Sequence, residues 1–415
     1  MLGIVFAGQG SQIVGMGMDF YHHYSEAKDV FDEADSALGW SVSEFCNETD
    51  ATRLAHTRKV QAAILTMEIA ILRTLQSRCN LPIAFSAGHS LGEYSALVAA
   101  GAIGFSDALR LVELRAEIMN KACQKNQGML AISGISEKQI YSLLQLGEES
   151  LFADIACLNG PEQLVLSGDI AVLAYCKEKL ELYGARTKML NVSGAFHSRY
   201  MQPYACELQD YLINIQWNSL SFPVISNVTG KPYPSDSKTW SDLLMRQIYE
   251  PVRWMQSTRC MYMNGVTTIL EIAPTPTVGQ LIKETIPAFN IFSLCTSADL
   301  PNAERLIMEI VPQSITVSFI GRCLSHAVAT PCLTQISPDF DEKCRLPYQS
   351  TLQRYQVLRE QPQEATIEDA IQAYEMFKSV LSFKGVELSE FEARRDELMW
   401  LDRHQVIGIN SLITN

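Results

Sequence analysis

The pentapeptide Gly88-His89-Ser90-Leu91-Gly92 stands between a short apolar run, 82–87, and a small-residue stretch, 92–100. A serine on a sharp strand-to-helix turn is a nucleophile elbow, and the turn needs small residues on both sides. Gly88 and Gly92 supply them. The turn would lift the Ser90 hydroxyl clear of a sheet. It would also aim the Leu91 amide and a helix N-terminus at an oxyanion forming beside it. The competing reading is a structural glycine turn. A serine nucleophile needs a base within hydrogen-bond reach, and the chain has seven histidines: 22, 23, 56, 89, 197, 326 and 404. His22 and His23 fall on a charged helical pattern, and His326 and His404 in the C-terminal region. His89 adjoins Ser90, but neighbouring side chains diverge at a tight turn. His197 follows an extended segment and Gly194-Ala195-Phe196, which suits a loop facing the elbow. The group that orients the base stays open on these residues alone: hydrolase chain order points to an acid such as Asp154 or Asp169. Arg115 borders the apolar face of a helical pattern containing Leu111, Leu114 and Ile118. It either snorkels to water or pairs with Glu113 or Glu117, or it captures a carboxylate with both arms of its guanidinium.

The elements that must position these residues follow from hydrophobic period and turn chemistry. Residues 2–7 form a short apolar run ended by Gly8-Gln9-Gly10-Ser11-Gln12, a buried strand and a glycine-rich loop. Residues 18–39 and 60–78 carry helical patterns, 82–87 a second buried strand and 92–100 a helix with Gly101 at its stop. A helix over 106–122 takes Ser106 as its N-cap. Strands alternating with helices imply a mostly parallel sheet. From about Gln127 the order is strand 128–133, helix 136–146, strands 153–158 and 163–168, helix 170–183 and extended 187–192. This β-α-β-β-α-β succession is the ferredoxin-like pattern. A helix at 203–214, a strand at 224–226, a helix at 240–248 and a strand at 268–272 return the chain to the larger fold. Beyond 300 the rhythm fades into helices. Thr366 and Asp369 form a capping-box start and Gly385 a stop, and Ser389 and Glu392 open a second, short helix.

Length and composition bound the rest. The 415 residues exceed what one core serves, so two or three domains are expected. Apolar residues at 47% and charged residues at 19% exclude a disordered chain or coiled coil. With 33 Lys and Arg against 46 Asp and Glu, the net charge is −13. That argues against nucleic-acid backbone binding, though not against a local basic patch. No apolar run is long enough for a membrane span and no signal peptide is visible. Eleven scattered cysteines without a Cys-x-x-Cys pair suit reduced thiols in a cytoplasm. Cys323, His326 and Cys332 lie close in sequence, but the spacing is poor for a metal site and none is expected.

Taken in order, Gly8-Gln-Gly-Ser-Gln12, Gly88-His-Ser-Leu-Gly-Glu-Tyr-Ser95, Arg115, Gly194-Ala-Phe-His-Ser198, Gln247-Ile-Tyr-Glu-Pro-Val-Arg-Trp254 and Ile269-Leu-Glu-Ile-Ala-Pro274 resemble the malonyl-CoA:acyl carrier protein transacylases. The resemblance covers about residues 1–295. It implies an α/β-hydrolase-like catalytic domain over 1–126 and 195–298, a ferredoxin-like subdomain over 127–194, and a mainly helical extension over 299–415 of unknown role. It further implies Ser90 as the acylated nucleophile and His197 as base and acid. The main-chain carbonyl of Gln247 orients His197, in place of Asp154 or Asp169. The amides of Gln9 and Leu91 form the oxyanion hole, and Arg115 pairs with the malonyl carboxylate. In related extender-unit transferases this Leu and the Phe-His pair accompany malonyl, and Phe196 would narrow the space beside the α-carbon.

Ala7 replaces a proline common in the family, and Pro274-Thr-Pro-Thr277 replaces a glycine-rich turn near the site. The extension reads either as a helical cap on the catalytic domain or as a docking surface. The implied partners are malonyl-CoA, as substrate with no bound cofactor, and an acyl carrier protein or carrier domain. Docking of an acidic carrier would use a local patch of Lys and Arg, and a monomer acting in trans is expected. The rival is an acyl hydrolase of the same fold that clears stalled carriers. It would share Ser90 and His197 but have no use for Arg115 as a carboxylate clamp. A non-catalytic scaffold would not need an intact Ser90–His197 pair.

Overall fold

The computed structural model describes residues 1–48, 58–79, 81–144, 152–309, 315–330, 339–361 and 366–404. His56 and Cys332 lie outside them. Strands β1 (Leu2–Phe6), β2 (Ile83–Gly88), β7 (Val224–Ile225), β8 (Thr268–Ile272) and β9 (Asn290–Leu294) form a five-stranded sheet in the order β7-β2-β1-β8-β9. Every pair in it is parallel. β1 and β2 read as continuous apolar runs because both faces of such a sheet are covered. The strand order reverses at β1. The loops leaving the carboxyl ends of β1 and β2 therefore lie side by side where an open α/β sheet offers a crevice. These loops carry Gln9 and Ser90.

The helix Val60–Arg78 is buried almost all round. Its polar residues are answered from within: the Thr66 and Thr74 hydroxyls donate to the carbonyls of Ala62 and Ala70 at 2.8 Å. Buried Glu68 accepts from the Ala7 amide at 3.0 Å and the Ser95 hydroxyl at 2.5 Å. One carboxyl thus ties the end of β1 to the helix behind Ser90. Burial pushes this carboxyl well above its ordinary range.

Strands β3 (Gln127–Ser133), β4 (Ala153–Gly160), β5 (Gln163–Asp169) and β6 (Arg186–Met189) form a second, antiparallel sheet in the order β4-β5-β3-β6. With helices Glu137–Leu144 and Ile170–Leu182 it is the ferredoxin-like arrangement. It has its own core of Leu130, Ile132, Ile155, Leu166, Leu173 and Leu180. The fold is α/β, α/β-hydrolase-like with a ferredoxin-like insertion and a mainly helical C-terminal region.

The chain divides into two compact units. One comprises Leu2–Cys260 with Thr268–Met308; the other comprises Glu309–Asn415 with Met1 and Met261–Thr267. Helix Leu300–Glu309 packs on the first unit. Leu300 and Ala303 are buried, and Glu304 pairs with Arg78. In the second unit, helices Ile315–Ala329, Leu346–Glu360, Ile367–Phe383 and Leu388–His404 enclose a separate core around Phe319, Leu324, Leu358, Phe377 and Leu381.

Several local expectations shift. The helical stretch 18–39 is two helices, Met18–His23 and Ser25–Leu38, separated at extended Tyr24. The helix expected over 106–122 starts at Phe105 with Gly104 as N-cap, and the Ser106 hydroxyl instead donates to Glu33 at 3.0 Å. The extended segment 187–192 is strand over 186–189, with the Leu190 amide still donating to the Met129 carbonyl at 2.9 Å. The last helix is not short but 17 residues long, beginning at Leu388.

Candidate active site

The elbow after β2 leaves little room. A side chain at Gly88 would overlap the Gly92 backbone, one at Gly92 would strike the carbonyls of Phe6 and Ala7, and one at Gly8 would come within 2.5 Å of the His89 carbonyl oxygen. The β1 loop and the elbow therefore pack backbone to backbone. Ser90 is held at φ 52° and His197 at φ 55°, the two non-glycine residues with positive φ among those described. L-residues pay for that region, so the surroundings must impose it. At Ser90 the restraint is Asn227, which follows β7. Its Oδ1 accepts from the Ser90 amide at 2.8 Å and its Nδ2 donates to the Gly88 carbonyl at 2.7 Å.

His197 Nε2 lies 2.8 Å from Ser90 Oγ, and its Nδ1 lies 2.8 Å from the Gln247 carbonyl oxygen. A carbonyl can only accept, so Nδ1 carries the proton and Nε2 presents its lone pair to the serine hydroxyl. His197 is buried, and burial first, then the charge of Arg115, lower its pKa to about 3. The imidazole is neutral at ordinary pH. Neither acid suggested by chain order touches it. Asp154 is paired with Arg199 at 2.5–3.1 Å, and Asp169 accepts from Tyr200, the Phe152 amide and Asn126.

Arg115 is buried, not snorkelling, and pairs with neither Glu113 nor Glu117; these meet Trp40 and Arg58. Its Nη2 donates to Ser90 Oγ at 3.0 Å and to Gln247 Oε1 at 3.2 Å, and its Nη1 donates to Gln61 Oε1 at 2.7 Å. Among the described residues no carboxylate accepts a hydrogen bond from this cation. The guanidinium is thus aimed at the Ser90 hydroxyl and held by neutral amides.

Gln9 and Phe196 line one cleft together with Arg58, Gln61, Met119, Asn191 and Ser193. The Gln9 side chain accepts from Gln61 Nε2 at 3.3 Å. The amides of Gln9 and Leu91 have no hydrogen-bond acceptor among the described residues. The Thr275 hydroxyl donates to the Ser11 carbonyl at 3.0 Å, so the departing turn at 274–277 braces the β1 loop.

Asn227 and Gln61 join the site without having stood out in the sequence, and Glu93 joins it from within the Gly88–Ser95 motif, where the resemblance assigns it no role. For Glu93 a signal exists: it is an acid in an otherwise small and apolar helix. His326 and Cys323 are buried in the second unit, and among the described residues no group of His, Cys, Asp and Glu is arranged to hold a metal ion.

A strand-turn-helix serine, a neutral histidine on a main-chain carbonyl and a buried arginine beside them are the parts a serine acyl-transfer site needs. The chain belongs to the acyl transferase domain family, whose model matches residues 4–310. It is 38% identical over 286 residues to the malonyl CoA-acyl carrier protein transacylase of Bacillus subtilis (strain 168), covering 68% of this chain and 90% of that one. The crystal structure of the malonyl CoA-acyl carrier protein transacylase from Clostridium perfringens superposes with a TM-score of 0.71 at 33% identity, over 74% of this chain and 98% of that one. A malonyl-transacylase solved in complex with its type II PKS acyl-carrier protein matches with the same TM-score at 31% identity, over 74% and 99%.

Proposed function

We propose that this enzyme, a malonyl-CoA:acyl carrier protein transacylase, works through a malonyl ester on Ser90. The observation that carries the reading is the buried Arg115 guanidinium 3.0 Å from Ser90 Oγ, with His197 Nε2 2.8 Å from the same atom. His197 Nε2 takes the Ser90 proton as Oγ attacks the thioester carbonyl. The oxyanion falls to the amides of Gln9 and Leu91, where one fixed donor is worth about 3–4 kcal/mol. The C–S bond breaks, and the CoA thiolate takes the proton back from His197. The phosphopantetheine thiol of a carrier protein then gives its proton to His197, attacks the ester carbonyl and expels Ser90 Oγ, which is reprotonated. The Gln247 carbonyl holds the imidazole in the required tautomer throughout.

The malonyl carboxylate takes the arm of Arg115 that otherwise rests on Ser90. An acetyl group would leave this buried cation without an anion, which disfavours it. Phe196 crowds the α-carbon, and such steric choice is worth about 1–3 kcal/mol. Malonyl-CoA is a substrate, and the chemistry asks for no further cofactor. The carrier is an acyl carrier protein or a carrier domain of a fatty acid or polyketide pathway. The enzyme acts in trans as a cytoplasmic monomer. Among the described residues no helix is long and apolar enough to cross a membrane. Residues 1–126 with 195–308 form the catalytic part, 127–194 the inserted subdomain, and the region beyond is a helical addition.

Intact-protein mass spectrometry after brief mixing with malonyl-CoA tests the reading. A malonyl adduct is expected that is absent in Ser90→Ala, weakened at least about 10-fold in Arg115→Ala, and discharged by added carrier protein. An adduct from acetyl-CoA but not malonyl-CoA, cleared by water alone, would sink the reading and favour the hydrolase.

A further inference from the structure

Glu93 is buried on helix Gly92–Ala99, three residues beyond the nucleophile. Its Oε1 accepts from the Tyr233 hydroxyl at 2.6 Å and the Asn227 amide at 3.2 Å, and its Oε2 accepts from Gln247 Nε2 at 2.8 Å. That same Nε2 donates its second hydrogen to the Ser90 carbonyl at 2.7 Å. With both hydrogens committed, Gln247 turns its Oε1 to Arg115. We infer that Glu93 is a positioning residue: as a carboxylate it locks the Gln247 amide, and through it the Arg115 guanidinium, and so sets the preference for an acyl group bearing its own carboxylate. The inference rests on the proposed pairing of Arg115 with malonyl.

The donor pattern makes the charge state matter. All three partners donate in this arrangement, and a carboxylate accepts from each. An amide in its place must turn its NH2 either onto the Asn227 N–H or onto Gln247. In the second case Gln247 reverses, loses its bond to the Ser90 carbonyl, and presents its own NH2 to Arg115. Protonating Glu93 introduces the same extra donor. The charged and titratable groups facing Glu93 are Tyr233, Arg115 on helix Phe105–Lys121 and the adjoining Tyr94, with neutral Gln247 and Asn227 completing the shell. Burial raises its pKa to about 7, while the bonds from Tyr233, Gln247 and Asn227 and the charge of Arg115 pull it down. Selectivity for malonyl should therefore rise with pH through neutrality, where His197 stays neutral and contributes no change. Tyr233→Phe removes one of the donors that hold Glu93 down, so the rise should move to higher pH.

The test measures rates of acyl-enzyme formation from malonyl-CoA and acetyl-CoA from about pH 5.5 to 8.5. It uses full-length wild type, Glu93→Gln, Tyr233→Phe and Arg115→Ala, each with its thermal midpoint. Expected are a malonyl-to-acetyl rate ratio about 10-fold lower or more in Glu93→Gln, and in Tyr233→Phe a ratio that reaches the wild-type plateau with its midpoint shifted up. A folded Glu93→Gln with an unchanged ratio overturns the inference, as does a wild-type ratio flat with pH. Should Glu93→Gln not fold, an unshifted Tyr233→Phe profile overturns it. If Arg115→Ala leaves the ratio intact, the pairing of Arg115 with malonyl has failed. If only the Arg115 variant lowers the ratio, that pairing stands and the role of Glu93 falls.

Discussion

Asn227 does two things with one amide: it accepts from Ser90 N–H and donates to the Gly88 carbonyl. Removing it strands two backbone groups at the tight elbow turn. Each unsatisfied group costs about 1–3 kcal/mol, part of which a water entering the space would recover. Asn227→Ala should therefore lower the unfolding free energy by about 2 kcal/mol and slow serine acylation more than it weakens malonyl-CoA binding. A denaturant titration beside a kcat against KM comparison would show it, and an unchanged acylation rate would remove Asn227 from the machinery. Ser90 and His197 stand out in the sequence because glycines flank them in a strand-turn-helix and a loop pattern, whereas Arg115 has no such neighbours and its role is named only through the family resemblance. Asn227 does not stand out: a single amide between β7 and a turn carries no local pattern, and its meaning arises only when β7 packs beside β2.

At the scale of elements, the elbow and the β1 loop work because no side chain separates them. Gly88→Ala would set a methyl group inside the Gly92 backbone. That variant should fail to yield folded protein by circular dichroism, whereas Gly104→Ala, whose added methyl meets only the Asp107 carboxylate at 3.7 Å, should fold normally. The strand-helix alternation and the ferredoxin-like order can be read in advance because buried strands and turn residues repeat in short periods. The boundaries cannot. Ser106 is an attractive cap by type, yet Glu33, distant in sequence, claims its hydroxyl.

In the second unit the expected capping box at Thr366 and Asp369 is present, with the Thr366 hydroxyl accepting from the Asp369 amide at 3.2 Å. Asp369 also accepts from Arg354 at 2.7 Å. Arg354 first of all, and then Thr366, hold its pKa down to about 2. A depressed carboxyl stabilises above its unfolded value and loses that contribution as pH falls from about 4 toward 2. Asp369→Asn should cost about 1 kcal/mol at neutral pH, and the difference from wild type should shrink below about pH 3. Thermal melts across that range check the sign.

The whole molecule carries a net charge of −13, and its family match ends at residue 310. The solved relatives are covered almost entirely while about a quarter of this chain lies outside them. The helices after 315 bury their own core. A chain ended at 309 is therefore expected to form the malonyl ester at a rate within about 3-fold of full length. A folded truncation that cannot be acylated would make the extension part of the catalytic unit. Composition and length announce a second unit, but its helices carry no chemistry-bearing motif, so its role is not written in a pattern that can be read residue by residue.

The left-handed backbone at Ser90 has a last consequence. Ser90→Ala and Ser90→Gly both delete the hydroxyl, yet only glycine occupies φ 52° without penalty. The glycine variant should outlast the alanine one by about 1 kcal/mol, visible as a higher melting midpoint. The backbone at this position favours glycine, while the hydroxyl that meets His197 and Arg115 requires serine. One residue thus holds two demands in a single place, a backbone shape suited to glycine and a chemistry that glycine cannot supply.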